Sequence, residues 1–252
     1  MTSPEVLAAP GGRRIAYHRT RAAGEGASRP GVMFLGGYAS DMTGTKATHL
    51  QAWAEARGRA FLRFDYTGHG ASSGAFRDGC VGDWAADAAA ALSALTEGPQ
   101  ILVGSSMGGW IATLLARENG ARVAGMVGVA AAPDFTELLM WPSFDAGMRA
   151  RLAAEGEIAI PNPYGDEPGV VTRRLIEDGR ARQVLTGPLS LPFPVRLLHG
   201  TADADVPPWL ASRLLDHMEC PDARLTLVKG ADHRFSGQVE LGLITLAIEE
   251  IG

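Results

Sequence analysis

Gln100-Ile101-Leu102-Val103-Gly104-Ser105-Ser106-Met107-Gly108-Gly109-Trp110 is an apolar run that breaks at a glycine-flanked serine and continues as helix-like sequence from Trp110 to Arg117. A strand that delivers G-x-S-x-G into a helix makes a tight elbow, with the serine side chain exposed at its tip. The elbow forces strained backbone angles on Ser106, and side chains on the flanking turns would collide with it. Glycines at 104 and 108 remove that collision. Ser106 is therefore the candidate nucleophile.

Working outward, Val6 to Ala9 and Arg14 to His18 flank Pro10-Gly11-Gly12 and predict a hairpin at one edge of a sheet. The apolar run Val32-Met33-Phe34-Leu35 follows, ending in Gly36-Gly37-Tyr38, then a helix from about Lys46 to Arg57 and a strand from Ala60 to Phe64. A Gly/Ser loop over 68–74, an Ala-rich helix from Gly82 to Leu95, the strand before Ser106, its helix to Glu118 and a strand over Ala121 to Ala130 continue the series. Continuous apolar strands alternating with helices predict an α/β fold, with a mostly parallel central sheet covered on both faces. Such sheets place their sites at the C-terminal strand ends.

The alternation stops at about 134 and resumes at Phe193, so residues 1–133 and 192–252 are expected to form the core and 134–191 an inserted lid. Leu138-Leu139-Met140-Trp141-Pro142, Phe144 and Met148 make an apolar cluster in that insertion, and Pro161-Asn162-Pro163-Tyr164-Gly165 forms a proline-rich middle. Met140, Trp141 and Phe144, with Trp110 from the nucleophile helix, are candidate walls of a pocket for an acyl or aromatic group. The plainer reading is that these side chains dock the insertion on the core. The six arginines of the insertion face nine acidic residues and read as a mixed-charge surface.

If Ser106 is activated, a base and an acid are needed downstream, each after a strand. In Pro194-Val195-Arg196-Leu197-Leu198-His199-Gly200-Thr201-Ala202-Asp203-Ala204-Asp205-Val206-Pro207 the strand runs into an acidic turn, and the H-G-x-x-D-x-x-V-P spacing favours Asp203 over Asp205. Asp205 reads instead as a cap or dipole partner of the helix that begins near Pro207. His233, after the strand Ala223 to Lys229 and the turn Gly230-Ala231-Asp232, is the base. His217 in a helix and His18 in a strand read as structural. His199 is expected to pack or bond within the acidic turn, His69 to border the pocket, and His49 is given no role. The chemistry then follows: His233 removes the Ser106 proton during attack, and Asp203 fixes the imidazole tautomer and stabilises its charged form. The tetrahedral oxyanion needs backbone donors, expected at Met107, which opens the helix, and at Tyr38, after two glycines.

The chain has 252 residues, 46% hydrophobic content and a formal net charge of −5, enough to bury a core and the wrong sign for a nucleic-acid or anionic-membrane surface. Two cysteines, Cys80 and Cys220, make a disulfide framework implausible. No H-E-x-x-H or G-x-x-x-x-G-K-[ST] occurs, and no cofactor or metal is expected. The N-terminus shows no targeting pattern and no apolar run approaches a membrane span, so the expectation is a soluble cytoplasmic protein with no stable membrane association.

With these residues placed, the chain resembles the α/β-hydrolase superfamily over essentially its whole length. Gly37-Tyr38-Ala39-Ser40-Asp41-Met42-Thr43-Gly44-Thr45-Lys46-Ala47, Arg63-Phe64-Asp65-Tyr66-Thr67-Gly68, Gly98 to Trp110 and Arg196-Leu197-Leu198-His199-Gly200 together resemble the family of α/β-hydrolase domain-containing protein ten, mitochondrial acyl-protein thioesterases also described as acyl-glucuronide esterases. The resemblance implies a serine hydrolase of thioesters or activated oxyesters, with Ser106, Asp203 and His233 in the triad positions. The substrate it implies is a small molecule or an acylated protein. The absence of a presequence suggests a bacterial-type relative, and the insertion matches less well than the core. The same fold also hosts peptidases, C–C hydrolases and perhydrolases, and ligand-binding members without turnover. The sequence assigns no oligomeric state.

Overall fold

Pro10-Gly11-Gly12 turns β1 (Glu5–Ala9) back into β2 (Arg13–Thr20), with Gly11 and Gly12 at φ 77° and 76°, in a computed structural model that describes residues 3–161 and 168–252. Then come β3 (Gly31–Leu35), α1 (Thr45–Ala56), β4 (Phe61–Phe64), α2 (Val81–Leu95), β5 (Gln100–Ser105), α3 (Met107–Glu118) and β6 (Val123–Val129). Between β6 and the next sheet strand lie a π-helical turn (Thr136–Met140), α4 (Trp141–Ser143), α5 (Ala146–Glu155), the antiparallel pair β7 (Glu157–Ile160) and β8 (Gly169–Thr172), α6 (Arg173–Ala181) and the short β9 (Leu189–Ser190). The proline-rich middle of this insertion, from Asn162 on, lies outside the described residues. β10 (Val195–Gly200), α7 (Pro208–His217), β11 (Met218–Glu219), β12 (Ala223–Val228) and α8 (Gln238–Ile251) complete the chain.

The central sheet has eight strands in the order β1-β2-β4-β3-β5-β6-β10-β12. β2 pairs antiparallel with both neighbours, and every pairing from β4 to β12 is parallel. Alternation along the strands divides the core. Met33 and Leu35 on β3 and Leu102 on β5 face α2, α3 and the insertion, whereas Val32, Phe34, Ile101 and Val103 face α1 and α8. Both faces are covered, which is why these strands read as unbroken apolar runs.

The insertion is closed at its stem by a buried carboxylate. Asp134 follows β6, and its two oxygens accept from the backbone N–H groups of Val184 at 2.8 Å and Leu185 at 2.9 Å. Burial pushes its carboxyl up, and the two N–H bonds oppose that rise. Farther out, Asp178 of α6 accepts from Gly82 N–H at 2.7 Å at the start of α2, where the helix leaves its first N–H groups unpaired. Arg174 pairs with Asp83 at 2.7 Å, Arg180 with Glu137 at 2.7 Å and Arg182 with Asp178 at 2.9 Å, so three of the insertion's arginines are neutralised within the fold. Asp145 and Thr172 cap α5 and α6 by accepting from Met148 N–H and Leu175 N–H. No helix among the described residues is long and apolar enough to cross a membrane.

Candidate active site

β5 ends at the central crossing of the sheet, and Ser106 stands between it and α3 at φ 53° and ψ −119°. A β-carbon on Gly108 would lie 2.0 Å from the Leu35 carbonyl oxygen, and one on Gly104 would lie 2.4 Å from that of Gly108. No larger residue fits at either place without moving backbone. The strained peptide costs about 1–3 kcal/mol. It is held by a bond from Ser106 N–H to Val129 O at 2.9 Å and by donation from Ala132 N–H to Ser106 O at 3.0 Å.

The side chains chosen from sequence meet at this elbow. Ser106 Oγ is 3.1 Å from His233 Nε2, and His233 Nδ1 is 2.9 Å from Asp203 Oδ2. An acceptor carboxylate at Nδ1 puts the ring proton there and leaves Nε2 free to take one from the serine. Asp203 is buried, whereas Ser106 and His233 are half-buried and reachable. Burial alone would raise the Asp203 carboxyl. The bonds from His199, His233 and Val206 N–H outweigh it and hold the group well below the usual carboxylate range.

The loops carrying Asp203 and His233 are joined by backbone bonds. Thr201 N–H donates to Val228 O at 2.9 Å and Ala202 N–H to Ala231 O at 3.0 Å, and Thr201 Oγ1 accepts from Gly230 N–H at 2.9 Å. The approach needs Gly200, where a β-carbon would lie 2.1 Å from Ala231 O. Phe235, fully buried at φ 47°, pins the far side of the His233 loop in the core. Lys46 of α1 donates to the Arg234 carbonyl next to His233. Burial lowers Lys46 to about 8, with Asp232 raising it and Arg234 lowering it.

Met107 opens α3, so its N–H has no partner within the helix. The second expected donor, Tyr38, follows Gly37, whose β-carbon position lies 3.4 Å from Ser106 Cβ. The loop bearing Tyr38 is clamped at Met42, whose N–H donates to Asp65 Oδ1 at 2.6 Å and whose carbonyl accepts from Arg63 at 2.5 Å. The other Asp65 oxygen accepts from Ala71 N–H at 2.8 Å, joining this loop to the Gly/Ser loop. The Tyr38 ring packs edge-on against Phe76, Trp84 and Phe135, and its hydroxyl donates to Val170 O of β8 at 3.4 Å. Burial pushes that phenol well above its usual range.

The pocket candidates divide. Met140 and Trp141 are half-buried on the insertion, and the guanidinium groups of Arg149 and Arg180 lie 4.8 and 5.1 Å from the centre of the Trp141 ring. Trp110 is a correction: it is completely buried, packs edge-on against Phe135 at 5.6 Å and donates from Nε1 to Arg182 O at 3.3 Å. α3 is buried along residues 107–116, so its fourth residue supports the insertion and offers no face to a ligand. Phe144 is likewise buried, against Trp141. His69 is 3% exposed and packs edge-on among Tyr66, Phe76 and Trp84, inside the core. Asp205 does not cap α7, whose cap residue is Pro207 with no side-chain bond; its N–H donates to Asp203 Oδ1 at 3.0 Å. The contacts of Lys46, Arg63, Asp65 and Asp134 were not read from sequence, because each depends on a partner brought in by the fold.

Asp203, Asp205 and His233 offer ligand atoms within 4.8 Å of one another, the spacing a metal ion requires. Asp203 Oδ2 and His233 Nδ1 are committed to each other, and Asp203 Oδ1 accepts two N–H groups, so the arrangement fits a proton relay better than a metal.

The model of the alpha/beta hydrolase family matches residues 26–240. The mitochondrial palmitoyl-protein thioesterase ABHD10 of Rattus norvegicus is 33% identical over 94% of this chain and 78% of its own length. That of Homo sapiens is 32% identical over 99% of this chain and 80% of its own. Among solved structures, a putative hydrolase from Agrobacterium vitis S4 superposes with a TM-score of 0.92 at 42% identity, covering 99% of this chain and 97% of that one. Alpha/beta hydrolase domain-containing protein 10 from mouse follows with a TM-score of 0.89 at 31% identity, covering 99% and 98%.

Proposed function

The chain belongs to the alpha/beta hydrolase family, and from that premise we propose that it is a serine hydrolase cleaving thioesters or oxyesters of a medium or long acyl group through Ser106, His233 and Asp203. The observation that carries the reading is the hydrogen-bonded series from Asp203 Oδ2 through His233 to Ser106 Oγ, at 2.9 and 3.1 Å, on an elbow with φ 53°. Relatives named as palmitoyl-protein thioesterases support the acyl substrate, whether carried on a protein or on a small molecule.

In the proposed reaction His233 Nε2 takes the Ser106 proton as Oγ attacks the acyl carbonyl carbon. The oxyanion is received by the N–H groups of Met107 and Tyr38; loss of one such donor typically costs about 3 kcal/mol of transition-state stabilisation. The tetrahedral intermediate collapses, the C–S or C–O bond breaks, and His233 returns its proton to the leaving thiolate or alkoxide. Water, deprotonated by the same imidazole, then cleaves the acyl-enzyme to free acid and Ser106. The insertion of residues 134–191 is the roof, with Met140 and Trp141 as its apolar contacts to the acyl chain. Acyl glucuronides, activated oxyesters of the same acyl acids, belong to this proposed range.

The test is kcat/KM for a thioester and an oxyester sharing one acyl chain, at several chain lengths, with Ser106→Ala as the blank. Turnover that depends on Ser106 and rises with chain length is expected. Hydrolysis of neither ester, or hydrolysis equal in Ser106→Ala, would refute the assignment.

A further inference from the structure

His199 ends β10 and is 0% exposed, with no place in the reaction described above. Its Nε2 lies 2.8 Å from the Val206 carbonyl oxygen and 3.3 Å from Asp203 Oδ2. Two oxygen acceptors at one ring nitrogen require that nitrogen to carry the proton, while Nδ1 is buried among the described residues with no partner. His199 thus donates to the Val206 carbonyl, and the same Nε2 faces the carboxylate oxygen of the candidate acid at 3.3 Å. Val206 closes the ring: its carbonyl accepts from His199, and its N–H donates to Asp203 Oδ1 at 2.8 Å.

Asp203 Oδ1 is fixed by two backbone donors, Asp205 N–H and Val206 N–H. Among the described residues Oδ2, the oxygen that meets His233, has no backbone donor, and its partners are His233 and His199. We propose that His199 is a positioning residue for hydrolysis, holding Asp203 Oδ2 through Nε2–H where His233 Nδ1 meets it. The two side chains are buried at this point, where a polar group left without its donor is costly. The inference rests on the assignment of Ser106, His233 and Asp203 made above.

His199 draws on the charge of Oδ2, so removing it leaves more of that charge to the charged form of His233 and moves the acidic limb of kcat/KM to higher pH. The other charged groups around the series, Asp205 beside the acid, Asp232 and Arg234 on the His233 loop and Lys46 on α1, remain in place.

The experiment is the pH profile of kcat and kcat/KM on one acyl ester for the wild type, His199→Leu, His199→Gln and Ser106→Ala, with melting curves alongside. For His199→Leu the expected result is a fall in kcat of about ten- to a hundredfold, the range of a lost bond to a charged acceptor, with KM changed less than about threefold and the acidic limb moved to higher pH. His199→Gln keeps an amide donor at the same reach and is expected to restore most of kcat and return the limb. Unchanged kcat in a folded His199→Leu protein, or a fall with the limb unmoved and no rescue by Gln, would overturn the proposal. If Ser106→Ala retains activity, it is the nucleophile assignment that has failed. A measurement without substitution at 199 guards against a Leu variant that does not fold. Histidine NMR of the wild type at the assay pH is expected to show the His199 ring proton on Nε2, and a proton on Nδ1 alone would overturn the proposal.

Discussion

Asp203 is stable as a buried anion because the donors His233, His199, Asp205 N–H and Val206 N–H surround it. Its folded value lies below its unfolded one, so its contribution to stability is complete above the unfolded carboxylate range, near pH 4, and is lost as pH falls through the folded value. Asp203→Asn is therefore expected to melt below the wild type at neutral pH, and the gap is expected to close on acidification below about pH 4; differential scanning calorimetry across that range checks it. Lys46 gives a prediction on the alkaline side. Its ammonium group, held to about 8, donates to the Arg234 carbonyl beside His233, and loses the charge that strengthens this bond as pH rises through that value. The expected outcome is an alkaline limb in kcat/KM near pH 8 that moves upward in Lys46→Arg, whose charge persists. Ser106→Ala is expected to lower kcat at least about a thousandfold while leaving the melting temperature within a few degrees, since the elbow strain does not depend on the hydroxyl.

The strands of the central sheet were legible because their signal is local, an apolar run bounded by a glycine turn, whereas the short pairs β7/β8 and β9/β11 carry no such run. The positions of Asp203 and His233, the candidate acid and base, were legible because each follows a strand and its spacing survives in sequence. What stayed hidden are contacts between elements far apart in the chain, such as Lys46 with Arg234, separated by 188 residues, or Asp134 with Val184, separated by 50. Trp110 misled for a related reason. It lies one turn from Ser106, yet α3 is buried through residues 107–116, so closeness in sequence to the nucleophile was no measure of closeness to a ligand. The Asp134 clamp makes its own prediction. Val184 and Leu185 N–H each use a different Asp134 oxygen, and an amide would set an NH2 donor against one of them, so Asp134→Asn is expected to destabilise the protein by about 1–3 kcal/mol. Faster proteolysis within residues 134–191, at unchanged cleavage elsewhere, would mark the loss as local to the insertion.

At the scale of the molecule, one sheet order explains why residues 38, 106, 203 and 233 meet. β3, β5 and β10 lie within a run of parallel strands with β12 at its edge, and the loops that follow them all leave at the same end. α1 and α8 cover one face of that sheet and α2 and α3 the other, so the candidate nucleophile Ser106, base His233 and acid Asp203 and the proposed N–H donors stand on a packed frame. If Ser106 is nucleophilic because His233 is bonded to it, exposure to a fluorophosphonate followed by peptide mass spectrometry of the wild type, Ser106→Ala and His233→Ala will show it. One adduct is expected, on Ser106, absent from Ser106→Ala and formed far more slowly in His233→Ala. An adduct on another residue, or labelling of Ser106 as fast without His233 as with it, would refute the nucleophile and base assignment.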